Sequence, residues 1–367
     1  MKIHRALLLS PSSEAWFLPA VLAQAGWSCE VVSLSGVYAL SAHVHRLHRV
    51  PQVEQLAEQA LQVNEADGGF DWVIVASDEL LADLRQRSWL DRRYLPLLPL
   101  ASPKGREHLF SKLQLSRLLD RCGLPTPRWG VATSAAEALK LAERLGYPCF
   151  LKSDASNGGR GVVRCLGPDE LELQAVRLQP AAFLVQRELH GRLWGVEALF
   201  WQGRLQAYAA SESLEEMHAF GPSVRRCYGR LGADRAALEA LLQPLGEALA
   251  AHGWANLSLI QMPDRSWQCF EADLRPTVWL ALDQALGGDF AQVIAELPHQ
   301  LQRCPQLCYG DQLLELEHPQ RLFQIGASQE RINLAWAAMP EEATTFLEAL
   351  CQERFAARLP EQQEPKC

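Results

Sequence analysis

The sequence predicts an α/β domain built on a parallel sheet, followed by α+β units in which strands return on themselves as hairpins. Three observations carry this. Residues 1–100 alternate short apolar runs with helical patterns, the signature of βαβ units. Residues 147–163 read as an apolar strand, a small-residue loop and a second apolar run. Residues 254–262 and 267–276 flank the turn Pro263-Asp264-Arg265-Ser266 as a third signal, an antiparallel hairpin.

At 367 residues the chain has room for two or three domains and a full core. Its 48% hydrophobic and 21% charged content is that of a globular chain, and no apolar run reaches the length of a membrane span. Residues 1–10 are too short an apolar segment for a secretory signal and read as a first buried strand, so a cytoplasmic location is expected. A net charge of −8 without a Lys/Arg block argues against a nucleic-acid surface. The ten cysteines are scattered; Cys304 and Cys308 come closest to a pair, and the set reads as reduced thiols.

Taken in order, residues 6–9 form the first strand, and the turn 11–14 caps a helix over 16–26. A strand over 29–34, a helix over 54–64 and a strand over 71–76 follow. Asp78 and Glu79 then fall at a strand's carboxyl end, where open α/β sheets bind ligands, although starting the helix 79–87 accounts for them. The histidine-bearing run 42–49 has spacings that fit no single helix face and reads as a solvated basic connector rather than a metal site. The proline-rich stretch 96–103 marks a domain boundary. An amphipathic helix over 107–121, carrying Lys112, ends at Cys122-Gly123 with Pro125 and Pro127 beyond. Thr133, Ser134 and Glu137 then supply a capping-box pattern for a helix to about Leu145.

The loop 155–161 follows Lys152 at a strand end. Gly158, Gly159 and Gly161 let the backbone turn tightly and bring N–H groups to a ligand, and a neighbouring lysine suits a polyphosphate. The lysine precedes the glycines, which excludes the P-loop, and no Gly-x-Gly-x-x-Gly opens a helix here.

Together, Phe110-Ser111-Lys112-Leu113, residues 123–127, the 147–152 strand with Lys152, and Gly158-Gly159-Arg160-Gly161 resemble the first half of an ATP-grasp domain. The resemblance covers about residues 1–300 and implies a Rossmann-like N-terminal domain, then two α+β subdomains clasping a nucleotide. It implies that Lys112 and Lys152 contact phosphates, that Ser156, Gly158, Gly159 and Gly161 belong to the closing loop, and that Gln186, Arg187, Glu188 and Leu189 face adenine.

The hairpin strengthens the likeness. Strand alternation puts Glu271, Asp273 and Arg275 on one face, and two carboxylates beside an arginine suit Mg²⁺ (or Mn²⁺) held against phosphate oxygens. The family pattern Glu-x-Asn-x-Arg-Pro reads here Glu271-Ala272-Asp273-Leu274-Arg275-Pro276, followed by Gly287-Gly288-Asp289. Asp273 thus replaces an asparagine, and Gln261 stands where an acidic ligand is expected on the preceding strand. The ribose-binding glutamate has no clear counterpart: Leu193 occupies the position two after Gly191, leaving Glu188 or Glu197 as substitutes. Of Arg225 and Arg226, consecutive in a strand and so on opposite faces, one is a candidate for a substrate carboxylate or phosphate.

The implied activity is an ADP-forming ligase. It would use ATP to convert a small-molecule carboxylate to an acylphosphate, with Lys152 and Arg275 as catalytic groups, and join it to an amine such as an amino acid. A nucleotide-biosynthesis ligase is a second enzyme reading, and a biotin carboxylase-like subunit a weaker one. The rival is a catalytically degenerate nucleotide sensor or scaffold. The expected division is 1–100 for the Rossmann-like domain, 101–182 for the small subdomain, 183–300 for the large one and 301–367 for a helical segment. A homodimer is the default assembly.

Overall fold

The apolar run at residues 6–9 lies in strand β1 (His4–Ser10), at the centre of a four-stranded sheet ordered β3-β2-β1-β4. Its companions are β2 (Trp27–Ser33), β3 (Val44–Arg49) and β4 (Trp72–Val75), and every pairing is parallel. This computed structural model describes residues 3–66, 68–178, 182–228, 231–281, 290–299 and 314–317. Strand β3 corrects the reading of residues 42–49 as a connector. Its polar side chains suit a sheet edge, which must resist further pairing, and His48 reaches inward to the buried Glu30 at 2.8 Å.

Both faces of β1 and β4 are apolar because both are covered, as parallel sheets require. Leu7, Leu9, Val73 and Val75 pack with α2 (Leu56–Ala66) and α3 (Asp78–Leu90). Ala6, Leu8, Trp72 and Ile74 pack with α1 (Leu18–Gln24) and with residues of a second, larger sheet. There Trp72 stacks on Trp254 with ring centroids 4.8 Å apart and meets Trp27 and Trp201 edge-on.

Helix α4 (Lys112–Arg121) is shorter than the expected 107–121. Residues Pro103–Glu107 form a separate 3-10 turn, and Phe110 takes a left-handed φ of 52°, which no continuing helix allows. Ser111 caps the new start by accepting from the Gln114 amide at 3.2 Å. Beyond α4, strands β5 (Trp129–Ala132), β6 (Cys149–Ser153), β7 (Val162–Cys165) and β8 (Phe183–Arg187) form an antiparallel sheet ordered β5-β8-β6-β7. Helices α5 (Ala135–Leu145) and α6 (Pro168–Leu178) cover it around a core of its own. Ser134 caps α5 by accepting from the Glu137 amide, and the Glu137 carboxylate reaches one residue past the cap to accept from the Thr133 amide and hydroxyl, a variant of the expected capping box.

The large sheet is antiparallel, in the order β13-β12-β9-β10-β11-β14. Its strands are β9 (Arg192–Trp201), β10 (Arg204–Glu216), β11 (Ser223–Tyr228), β12 (Gly253–Gln261), β13 (Trp267–Asp273) and β14 (Leu314–Glu317). Helix α7 (Arg235–Leu249) packs on one side and α8 (Phe290–Glu296) on the other. Strand β14 departs from the helical reading of residues 301–367. The rest of that segment, the helix expected near 341–358 included, and Gly287-Gly288-Asp289 lie outside the described residues. Among the described residues no helix is long and apolar enough to cross a membrane.

Candidate active site

The three sheets converge on a cavity of about 810 Å³, and nearly every expected site residue lines it. From the small sheet, the hairpin of β6 and β7 delivers Lys152 and the glycine-rich loop. Lys152 is 7% exposed, donates to Gln186 Oε1 at 2.7 Å, and lies 5.1 Å from the centre of the Phe270 ring. Burial, which disfavours an ammonium, and the nearby Lys112 push its pKa down to about 8 against the opposing pull of Glu271.

Lys112, at the first position of α4, donates to the Ser156 carbonyl and, at 3.2 Å, to its hydroxyl. Asp154 holds that helix end in place, accepting from Ser111 Oγ and from the Leu113 amide, both at 2.9 Å. The base of the loop and the start of α4 are therefore one hydrogen-bonded unit.

Gly158, Gly159 and Gly161 all have positive φ. At Gly159 the requirement is also steric, because a Cβ there would run into the backbone carbonyl of Phe220, in the turn between β10 and β11. The Phe220 ring meets Phe150 edge-on at 5.0 Å, so the loop lies against the opposite jaw. Ser156, Gly158 and Gly159 line the cavity; Gly161 sits at the loop's base, its carbonyl accepting from the Ser153 amide at 2.8 Å.

The end of strand β8 and the residues just after it bring Gln186, Arg187, Glu188 and Leu189 to the wall. Gln186 is buried, and its side-chain nitrogen has no hydrogen-bond partner among the described residues. Glu188 is held by a bidentate contact from Arg164 at 2.8–3.0 Å. Of the two glutamates left open for a ribose, Glu188 lines the cavity. Glu197 is buried in the large sheet, accepting from Arg226, Asn256 and Thr277 at 2.9, 2.7 and 3.2 Å. Arg226 lines the cavity 4.4 Å from the Trp279 ring centre, and Gly195 leaves room for it: a Cβ there would stand 2.8 Å from the guanidinium carbon. Arg225, on the other face of β11, is not brought to the cavity and lies 3.5 Å from Glu215.

The carboxylates come from the β12–β13 hairpin. Asn256 pairs with Asp273 and Ser258 with Glu271. Gln261 corrects an expectation, because it is not brought to them. It has the parity of Leu257 and Leu259, which point into the core, and so faces away from Ser258. It pairs with Trp267 and accepts from Arg192. Ser258 is the side chain opposite Glu271, donating to it at 3.4 Å.

Strand alternation alone would also have sent Glu271 to the face of Trp267 and Cys269, which are core residues. A bulge prevents this: the register moves from Ser258–Glu271 to Leu259–Cys269, so Phe270 is an extra residue and the carboxylates turn to the cavity.

Burial and the neighbouring Asp78 and Glu271 push the Asp273 carboxyl well above its ordinary range, despite Arg275. Such a surplus of negative charge on hard oxygen donors is what a divalent cation offsets, so Glu271 and Asp273 fit Mg²⁺ shared with phosphate oxygens. Among the described residues no three His, Cys, Asp or Glu side chains gather as a metal cluster. Arg275 completes the group. Burial opposes its charge, yet Asp78 and Asp273 outweigh that and raise its pKa further. Asp78, Glu14, Phe270 and Trp279 are among the cavity residues that sequence reasoning passed over or left as structural.

Residues 112–188 match the family model described as the carbamoyl-phosphate synthase L chain, ATP binding domain. The carbamoyl phosphate synthase large chain of Rubrobacter xylanophilus is 40% identical over 72 residues, 20% of this chain and 7% of that protein. That of Hyperthermus butylicus is 25% identical over 292 residues, 73% of this chain and 26% of the relative. The chain thus spans about a quarter or less of these relatives.

Among solved structures, the N5-carboxyaminoimidazole synthetase of Staphylococcus aureus, complexed with ADP, superposes with a TM-score of 0.70 at 10% identity, over 90% of this chain and 87% of the other. The biotin carboxylase domain dimer of the Hydrogenobacter thermophilus 2-oxoglutarate carboxylase, with MgADP, ADP and bicarbonate, gives 0.65 at 15% identity, over 83% and 72%. The L-amino acid ligase of Bacillus licheniformis gives 0.61 at 18%, over 82% and 75%. With a parallel N-terminal sheet, two antiparallel sheets and a family match over residues 112–188, which take in both lysines and their loop, this chain has the ATP-grasp fold behind a Rossmann-like N-terminal sheet.

Proposed function

We propose that this protein is a cytoplasmic, ATP-dependent, ADP-forming ligase that activates a small-molecule carboxylate as an acylphosphate and joins it to an amine. The observation that carries the proposal is the convergence of Lys112, Lys152, Glu271, Asp273 and Arg275 on one cavity beneath a glycine-rich loop. Phosphoryl transfer asks a protein for positioning and charge neutralisation rather than a covalent nucleophile, and these residues supply both.

In this reading Lys112 and Lys152 hold the polyphosphate, and Lys152 Nζ, already fixed by Gln186, is aimed before any ligand arrives. Backbone groups of residues 186–189 receive the base. Glu271 and Asp273 would hold Mg²⁺, which neutralises phosphate charge. Arg275 meets charge developing on the transferred group. The loop against Phe220 keeps water from an acylphosphate that would otherwise hydrolyse. Arg226, paired with Glu197 and packed on Trp279, is the proposed anchor for the carboxylate substrate.

One observation favours a second reading, a nucleotide sensor without turnover. The residue opposite Glu271 is the neutral Ser258, and Gln261 is committed to Arg192, so the hairpin brings two carboxylates to the cavity, Glu271 and Asp273. Two measurements decide. Thermal unfolding with ATP or ADP, with and without Mg²⁺, is expected to show a Mg²⁺-dependent rise of several degrees. Ligand at about a hundred times Kd adds about 2.7 kcal/mol, and Lys152→Ala abolishes the rise. Hydroxylamine trapping over a panel of carboxylic acids then separates the readings: a ligase yields a hydroxamate with its acid, and a sensor yields none. Absence of any nucleotide shift would sink both.

A further inference from the structure

Asp78 and Glu79 stand side by side in the first turn of α3, and each reaches out of the parallel-sheet domain to a different sheet. Asp78 receives Arg275 through two parallel contacts, Nε to Oδ1 and Nη2 to Oδ2, each 2.6 Å. Glu79 accepts from Asn157 in the glycine-rich loop. The helix start does not need Asp78 as its cap, because Ser77 already fills that role by accepting from the Leu80 amide at 3.3 Å. The Asp78 side chain is only 8% exposed, turned inward to an arginine 197 residues away.

A guanidinium gripped through Nε and Nη2 cannot rotate about its own bonds. Asp273, 3.5 Å from Nη2, reinforces that edge. This leaves Nη1 as the amino group of Arg275 without a hydrogen-bond partner among the described residues, on a side chain that lines the cavity. Donors held in place before reaction stabilise developing charge without reorganising when it appears.

We propose that Asp78 is a positioning residue: it fixes the orientation in which Arg275 meets the transferring phosphoryl group. The N-terminal domain thereby contributes to the chemical step and not to substrate binding alone. The inference rests on the phosphoryl-transfer reading above, and its test is arranged so that the two fail separately.

Affinities are measured by calorimetry for MgADP and for MgADP with aluminium fluoride, a mimic of the phosphoryl group in flight. The proteins are the full chain, Asp78→Asn, Arg275→Gln and the double variant. Wild type is expected to prefer the fluoride complex by at least about tenfold, as transition-state mimics are bound more tightly than ground states. Asp78→Asn keeps its MgADP affinity within about twofold and loses most of that preference. The double variant loses no more than Arg275→Gln, because Asp78 acts through Arg275.

Retention of the preference in Asp78→Asn overturns the inference. So does equal weakening of both ligands, which marks a merely structural role, or losses that add in the double variant. If Asp78→Asn does not fold, Asp78→Ser, which keeps a polar group in the first turn, is read by the same two affinities. A wild type that binds MgADP but shows no preference brings down the phosphoryl-transfer reading itself.

Discussion

Lys152 pays in stability for being poised. Its ammonium is buried with one neutral acceptor, Gln186, and its pKa is pushed down to about 8. The unfolded chain therefore binds a proton more tightly than the folded one. The destabilisation is full below pH 8 and fades as pH rises from about 8 toward the ordinary value near 10.5. Lys152→Met is expected to raise the stability of the nucleotide-free protein at pH 7 by on the order of 2 kcal/mol. The gap from wild type should close between pH 8 and about 10.5, as read by urea unfolding across that range. A gap from wild type no larger at pH 7 than at pH 10 would refute this account of the residue. Asp273 carries the complementary strain, a carboxyl pushed up by burial and two neighbouring acids, so cation binding and its ionisation are coupled.

At the scale of elements, the glycine-rich loop and the β10–β11 turn meet through backbone rather than side chains. Gly159→Ala places a methyl group against the Phe220 carbonyl. Because φ is positive and the contact is already made, it is expected to lower the ligand-free thermal midpoint as well as to weaken MgATP binding by about tenfold, or about 1.4 kcal/mol. Calorimetry checks this; unchanged affinity would mean that loop closure contributes nothing to binding.

Most strands and helices of residues 1–100, the lysine-bearing loop and the final hairpin were legible because each repeats a local rule: period 2, period 3.6, or glycine where φ is positive. Strand β3 was not legible, because an edge strand lacks the apolar face that announces a buried one. Nor was the exclusion of Gln261, since its parity relative to Ser258 has meaning only once the core face of β12 is known. The partnership of Asp78 with Arg275 spans 197 residues, and no local pattern encodes a contact at that separation.

Across the described residues, two cores are shared between the N-terminal sheet and the large sheet, and a third is confined to the small sheet with α5 and α6. Trp27, Trp72, Trp201 and Trp254 lie at the shared boundary. The N-terminal sheet and the six-stranded sheet are accordingly expected to unfold together, in one transition by tryptophan fluorescence. Amides of β5–β8 should exchange hydrogen earlier, through an opening local to that unit. Uniform exchange protection across all three sheets would contradict this division.

The bulge at Phe270 has one more consequence. A strand ordinarily shows a given chamber every second residue, yet here two neighbours, Phe270 and Glu271, open onto the same one. An oily ring and a formal charge are thereby set a single peptide apart, a steep gradient of polarity written into the backbone. The ring keeps Lys152 in a low-dielectric niche while the adjoining carboxylate stays available to a hydrated ion. Removing Phe270 would restore plain alternation, with Glu271 and Asp273 still facing the cavity, and would strip one of the two rings from beside Lys152, leaving Phe150 at 5.5 Å as its aromatic neighbour.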